Sequence, residues 1–516
     1  MIRSFLTVST GTLASRLLGF ARDSMIAALL GTGAAADAFL VAFQLVNVVR
    51  RLLSEGALNA ALVPAWLRER ETGGAAAAAA FAGSVLGTVS AALVVATALI
   101  GLLMPLVMTA LAPGFAGSET LQLAVDDARL MLPYLAFAGP VTVMMALLNA
   151  QGRFALTAFS PLLFNIALIA VMAALLGWRR DALFAALIMA ATVGIAGLLQ
   201  LLILVSRHGA GTATPLRILF DPQMRGFAAK AIPGMIASSG PQLLVVAGAI
   251  IASGAPSAVS WIYFANRLVE LPLGIVGVAM GTVLVPEMTR ALRGNDAGAV
   301  ASAESRTLEL ATGLALPAML GLMVLSTPIV RLLFEHGAFS ASDTTATAQA
   351  LMWLALALPA HVLVKSLSPA FFAREDTLTP LIAMLKGLVV AIVFAVVLGH
   401  FFGTAGIAAS VALGAWSNAA SLVRRGAATF GFSIDAAARR RLPRILAAAL
   451  AMGALLWLAI TCVPAPMHGL AQAAVLAVSI AGGMAAYGFC LGLFGVTSWR
   501  ETVNAIRPTK PCDLRS

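Results

Sequence analysis

The chain has 516 residues, of which 60% are hydrophobic and 11% charged, with a formal net charge of +11. A soluble globular domain has about a quarter of its residues charged, so this composition excludes one and points to a polytopic membrane protein. The surplus of arginine and lysine sits in short loops between apolar runs. It reads as a topology signal with anionic membrane lipids as its partner, and it gives no reason to invoke nucleic acid.

Apolar runs of about 20 residues or more, each enough to cross roughly 30 Å of hydrocarbon as a helix, recur along the chain. They predict an all-α protein of about fourteen transmembrane helices, near 5–30, 36–66, 76–110, 121–149, 155–177, 182–206, 227–253, 258–287, 303–329, 345–372, 379–402, 404–423, 444–463 and 469–495. The first run carries Arg16, Arg22 and Asp23 and no small-residue cleavage site, so no removable signal peptide is expected. Residues 1–206 form a predicted N-lobe of six helices and 227–425 a C-lobe of six, joined by an interfacial linker at 207–226. A cytoplasmic loop at 426–443, two further helices within 444–496 and a tail at 497–516 complete the layout.

The lobes repeat. Leu62-Val63-Pro64 returns as Leu284-Val285-Pro286, 222 residues later. The stretch from Gln151-Gly152-Arg153 to Ser160-Pro161 is echoed by Phe372-Ala373-Arg374 to Thr379-Pro380. An even helix count in each half makes the repeats parallel, with their pseudo-symmetry axis along the membrane normal. Loop cations divide twenty-one against three, the three being Arg179, Arg180 and Arg331. By the positive-inside rule both termini face the cytoplasm. Cys462, Cys490 and Cys512 have neither metal-like nor redox-like spacing, so no disulfide and no metal site is expected.

Nine cations remain inside the predicted spans: Arg16, Arg22, Arg50, Arg51, Arg129, Arg267, Arg306, Lys365 and Lys386. Each costs at least about 2.5 kcal/mol at membrane depth unless it faces water or a partner. Arg51 and Glu55 are four apart and Arg267 and Glu270 three apart, so each pair can meet on one helical face, and a purely structural ion pair is an open reading for either. The set as a whole resists that reading. The first, second and eighth helices bring together Arg16, Arg22, Arg50, Arg51 and Arg267 against Asp23, Asp37, Glu55 and Glu270, with Asp37 at an outer helix end. A guanidinium fork grips phosphate oxygens in a planar, bidentate way, so the cationic surplus suits a pyrophosphate-bearing substrate better than a cationic drug.

Arg129 reads as an interface pair with Asp126 or Asp127, and Arg306 as a snorkelling side chain beside Glu304 and Glu309. His361 and Lys365 form a polar stripe or a structural contact, and Lys386 either snorkels or stands in for a bound cation. Gly19 in the first helix, and Pro272, Gly274, Gly277 and Gly281 in the eighth, are expected points of bending at a portal. No P-loop, H-E-x-x-H or G-x-S-x-G motif is present, so no enzyme is expected.

The motifs Ser15-Arg16-Leu17-Leu18-Gly19-Phe20-Ala21-Arg22-Asp23, Arg50-Arg51-Leu52-Leu53-Ser54-Glu55-Gly56-Ala57 and Trp261-Ile262-Tyr263-Phe264-Ala265-Asn266-Arg267-Leu268-Val269-Glu270-Leu271-Pro272 resemble those of the MurJ (MviN) family, bacterial flippases of the peptidoglycan precursor lipid II. Leu111-Ala112-Pro113-Gly114-Phe115 and Phe372-Ala373-Arg374-Glu375-Asp376-Thr377 extend the resemblance along the chain. It implies the MOP exporter fold, two six-helix lobes around a central cavity, with the last two helices forming a groove for a polyprenyl tail. It also places Arg16, Arg22, Asp23, Asp37, Arg50, Arg267 and Glu270 on functional cavity positions. Arg51, Glu55 and Asn266 join them on the same motifs as candidate substrate contacts. Lipid II is the implied substrate and the cell-wall synthesis machinery an implied partner.

Family members with a sodium site draw ligands from the seventh, eleventh and twelfth helices. Here the seventh reads Leu243-Leu244-Val245-Val246-Ala247-Gly248-Ala249, and the eleventh has Lys386 but no Asp or Asn. Membrane potential is therefore the expected driving force, with no cofactor. The alternatives are an exporter of another polyprenyl-diphosphate glycan or a drug, and a non-transporting scaffold of cell-wall assembly.

Overall fold

Every element among the described residues is helical, as hydrocarbon surroundings require: each backbone N–H and C=O must find its partner within its own segment. The computed structural model describes residues 2–54, 57–178, 181–207, 216–218, 224–229, 240–279, 297–372, 378–430, 435–462 and 469–496, with single positions at 222, 232, 374 and 376. In chain order the helices are α1 (Ile2–Leu30), α2 (Ala34–Ser54), α3 (Ala57–Leu102), α4 (Met104–Leu111), α5 (Glu119–Met131), α6 (Pro133–Ala150), α7 (Phe154–Trp178) and α8 (Ala182–Arg207). They continue as α9 (Gly240–Ala252), α10 (Ala258–Ala279), α11 (Ala297–Val324), α12 (Ser326–Phe334), α13 (Ala341–Ala355), α14 (Ala357–Phe372), α15 (Leu378–Phe430), α16 (Ala436–Thr461) and α17 (Leu470–Leu493). A 3-10 turn at Pro113–Phe115 follows α4.

Packing separates two lobes and an appendage. In the first, α1 lies along α7, α2 along α5, α3 along α6, and α8 against α5, α6 and α7. In the second, α9 and α14 flank α15, α10 lies along α13, and α11 packs on α14. The pair α16 and α17 attaches to the second lobe through α11, where Leu325, Met452, Leu456 and Leu476 form a buried cluster. Tyr487 adds a hydrogen bond of 2.8 Å from its hydroxyl to the Gly313 carbonyl. The outer faces are apolar and exposed, as at Val396, Phe401 and Trp457, which is how a lipid-facing surface differs from a water-facing one.

Helix boundaries differ from the expectation in ways that backbone chemistry explains. Seven helices among the described residues are long and apolar enough to cross a membrane, or nine if each of two bent pairs is one span. Some predicted spans are fused: α15 would run about 80 Å at 1.5 Å per residue, far beyond one crossing, and it breaks at Gly403, whose φ of 57° and ψ of −137° are open to glycine. Likewise Gly74 (φ 76°) inside α3 divides the second predicted helix from the third.

Other spans are bent. The expected helix at 303–329 turns by 74° at Leu325 and continues to Phe334, so Arg331, expected in a loop, sits in the last turn of α12. The helix expected at 345–372 bends by 41° between α13 and α14. Much of the loop expected at 426–443 is helical, because α15 runs to Phe430 and α16 begins at Ala436 on a cap in which Asp435 accepts the Ala438 N–H at 2.6 Å. The linker expected at 207–226 falls mostly outside the described residues, but Arg217 crosses α3 with its N–H 3.5 Å from the Gly83 carbonyl.

Candidate functional site

Five of the nine cations inside the predicted spans, Arg16, Arg22, Arg50, Arg267 and Lys365, converge between the lobes. Asp23 on α1 is fully buried and sits beneath two arginines. Arg22 donates to Asp23 Oδ1 from Nε at 2.9 Å and from Nη2 at 2.6 Å, and Arg267 of α10 forms an ion pair with Oδ2. One carboxylate therefore serves a guanidinium from each lobe. Arg22 is held further by Asn165 of α7, whose Oδ1 accepts from Nη1 at 3.1 Å, and by the Phe43 ring, 4.9 Å from Cζ. Asn165 in turn donates to the Ser15 carbonyl at 3.1 Å, fastening α7 to α1. On α10, Arg267 Nη1 donates to Glu270 Oε2 at 2.9 Å, Asn266 to Glu270 Oε1 at 3.4 Å, and the Tyr263 hydroxyl to Asp23 Oδ1 at 3.3 Å.

Above this network lies a cavity of about 430 Å³ lined by Arg16, Arg22, Arg50, Arg267 and Lys365, with Glu270 as its single carboxylate among the described residues. Gln44, Asn47, Asn165, Gln200 and Asn266 supply neutral donors and acceptors, and Arg50 donates to Asn47 Oδ1 at 3.3 Å. A volume of this kind suits a compact anionic group with a few directional contacts.

The expected site residues divide by position. Arg16, Arg22, Arg50, Asn266, Arg267 and Glu270 line the cavity. Asp23 lies under it as a counter-ion. Asp37, expected in the cavity, is elsewhere: it is buried at the start of α10, accepting the N–H groups of Ser257 and Ser260 at 2.9 Å each and the Ser260 hydroxyl. An ionised carboxylate at a helix N-terminus is favoured by the helix dipole and by the unpaired N–H groups there. The Arg51 side chain, Glu55 and Gly281 lie outside the described residues, and of Gly277 only the helical backbone is described.

Of the expected points of bending, Gly19 lies within the continuous α1, and Pro272 and Gly274 within the continuous α10. Arg129 is exposed and forms no ion pair with Asp126 or Asp127 among the described residues; Asp126 instead accepts from Gln122 at 3.2 Å. Glu309 pairs with Arg441 at 3.2 Å. Lys386 is exposed on α15, while His361 and Lys365 line the cavity. Asn165, Gln200, Gln44 and Tyr263 were not among the expected residues. Their only trace in the sequence is a polar side chain inside an apolar run, a signal that packing contacts share.

One end of the cavity is shut by contacts between lobes. Asp343 on α13 accepts from Thr32 of the first lobe at 2.6 Å, and from the Trp261 indole of its own lobe at 3.2 Å. Ala338 donates its N–H to the Ala28 carbonyl at 2.8 Å, and Gly114 to the Ser253 hydroxyl at 3.0 Å. Phe20 of α1 meets Phe334 of α12 at 5.9 Å, and Phe334 meets Phe264 of α10 at 5.1 Å.

Comparison with known proteins agrees with this architecture. The lipid II flippase MurJ family matches residues 26–470. A probable lipid II flippase MurJ of Rhizobium tropici is 35% identical over 530 residues, covering 100% of this chain and 99% of that protein. Among solved structures, a lipid II flippase MurJ in an inward closed conformation superposes with a TM-score of 0.80 at 22% identity, covering 96% of this chain and 100% of that one. An inward-facing multidrug resistance MATE transporter of the MOP superfamily superposes at 0.66 with 14% identity, covering 83% and 95%. These likenesses establish the MOP fold, and the sequence match across the whole length establishes that the chain belongs to the lipid II flippase MurJ family.

Proposed function

We propose that the chain flips lipid II from the cytoplasmic to the periplasmic leaflet by alternating access, its cationic cavity receiving the diphosphate and adjoining sugar. The observation that carries this reading is the cavity lining of five cations against one carboxylate, enclosed between lobes and shut at one end. An anionic headgroup gains from such a lining, whereas a cationic drug would meet repulsion. A scaffold has no use for arginines whose placement at membrane depth is costly.

The loop charges put the shut end at the periplasm and both termini in the cytoplasm of the inner membrane. The apolar, exposed faces of α16 and α17 support a resting place for the lipid tail outside the cavity. Transport of this kind changes no covalent bond, so the chain is a transporter and not an enzyme. Membrane potential supplies the drive, at about 2.3 kcal/mol per charge per 100 mV. In support, residues 243–249 hold no carboxylate, and the predicted eleventh helix, 379–402, has Lys386 but no Asp or Asn.

The test is reconstitution of the full chain into vesicles carrying lipid II in one leaflet, under an imposed potential. Lipid II reaches the opposite leaflet when the potential is present, and replacing sodium with potassium at fixed potential leaves the rate unchanged. A native chain that moves no lipid II overturns the flippase reading; a rate that climbs steeply with sodium overturns the drive.

A further inference from the structure

Arg16 is a cavity cation whose position no carboxylate among the described residues explains. Among the described residues it forms no hydrogen bond or ion pair, whereas Arg22 and Arg267 share Asp23 and Arg267 also meets Glu270. Its guanidinium crosses from α1 in one lobe and lies directly on the backbone of α10 in the other, at Gly274. The three heavy atoms nearest to a Cβ built at 274 are Nη1, Cζ and Nη2 of Arg16, with Nη2 at 3.0 Å. The arrangement is reciprocal: Arg267 of α10 lies on α1 at Gly19, where a Cβ would stand 2.7 Å from Nη2.

Gly274 is helical, so no unusual backbone angle calls for a glycine there. A glycine inside a helix costs about 1 kcal/mol relative to alanine, and what that cost obtains at 274 is room for the guanidinium. We propose that Gly274 is a positioning residue: its bare backbone seats Arg16 across the gap between the lobes and presents a guanidinium free of protein carboxylate to the diphosphate. This inference rests on the flippase reading and names the residue that aims one of its anion contacts. A guanidinium fork recognises phosphate by direction as well as charge, so moving it by the width of a methyl group spoils the contact while leaving the charge in the cavity. Gly19 differs in degree, because Arg267 is tied to Asp23 and Glu270 and its position does not depend on the glycine alone.

A double-mutant cycle on the full-length protein tests the seat, with lipid II binding as the readout. Gly274→Ala weakens lipid II binding roughly ten- to hundredfold, the scale of one lost charge-assisted hydrogen bond, while the melting temperature holds or rises because alanine is the better helix former. Arg16→Ala weakens binding similarly, and Arg16→Ala combined with Gly274→Ala binds no worse than Arg16→Ala alone, since the seat acts only through Arg16. Native affinity in Gly274→Ala, or losses that multiply in the double variant, would overturn the proposal. Gly274→Ser fills the same space and repeats the cycle. Failure of both variants to fold also overturns it, because the nearest atoms the new group meets belong to the movable end of one side chain. If the native chain binds no lipid II, the flippase reading fails on its own. The same cycle is then read with inorganic pyrophosphate, the bare anion, whose binding the seat still requires to fall in Gly274→Ala.

Discussion

Asp23 and Arg16 mark two different uses of charge in one cavity, and they fail differently. Asp23 neutralises Arg22 and Arg267 from opposite lobes while itself fully buried. Removing one partner of such a buried set leaves an uncompensated charge at a cost of about 3–5 kcal/mol. Asp23→Ala therefore lowers the amount of folded protein in the membrane and its melting temperature, as fluorescence-detected size exclusion after heating would measure. Arg16→Ala relieves no partner. It keeps near-normal protein levels and loses the ability to replace the native gene, while Arg306→Ala, on an exposed side chain, supports growth. Equal protein levels in Asp23→Ala and the native strain would show that the counter-ion is dispensable.

Asp37 belongs to the gate. Asp37→Ala strips two N–H groups and a hydroxyl at the start of α10 of their acceptor, each unsatisfied group costing about 1–3 kcal/mol. The shut state is weakened, so a cysteine placed at Ser253, which is buried where Gly114 donates to it across the lobes, reacts faster with an impermeant thiol reagent added outside. An unchanged labelling rate would count against the latch.

At the scale of elements, glycine decides where long apolar helices end. Gly403 inside α15 holds a backbone conformation that residues with a Cβ enter at a cost of about 1–3 kcal/mol. Gly403→Ala lowers the melting temperature. Gly482→Ala, in the helical stretch of α17 with open space around it, leaves the melting temperature level or raises it. If both alanines behave alike, the break in α15 does not depend on the glycine. The bend at Leu325 has a different origin. There α11 hands over to α12, which presents Val330 and Phe334 to the core next to Phe264 and Phe339. Pro328, in the first turn of α12, has no N–H to give the Val324 carbonyl, so the sequence marks the joint, and tertiary packing sets the direction of the turn.

For the molecule as a whole, the contacts between lobes at the shut end must part if the cavity is to open on the other side. Thr32 and Asp343 touch across that seam at 2.6 Å between side-chain oxygens. Thr32→Cys with Asp343→Cys, oxidised to a disulfide, locks the seam; vesicle transport stops, lipid II binding remains, and a reductant restores transport. Continued turnover with the disulfide intact, verified by thiol titration, would rule out alternating access at this seam. Binding and transport separate here because a ligand site facing the open end needs only one state, whereas translocation needs both.

Much of this protein was legible in its sequence, for a local reason. Apolar runs, loop charges and arginines at membrane depth are properties of short stretches, and the bilayer constrains each stretch separately. Membrane class, helical fold and an anionic substrate follow from them, and the cavity is lined by most of the arginines singled out on that basis. Pairing was not legible. That Asp23 serves two arginines, that Asp37 caps a helix 220 residues further on, and that Arg16 lies on Gly274 depend on how two lobes meet. Side-chain identity sets what a group can bind. Only the juxtaposition of helices distant in sequence decides which partner is within reach, because a contact of about 3 Å exists or fails with small shifts of whole helices.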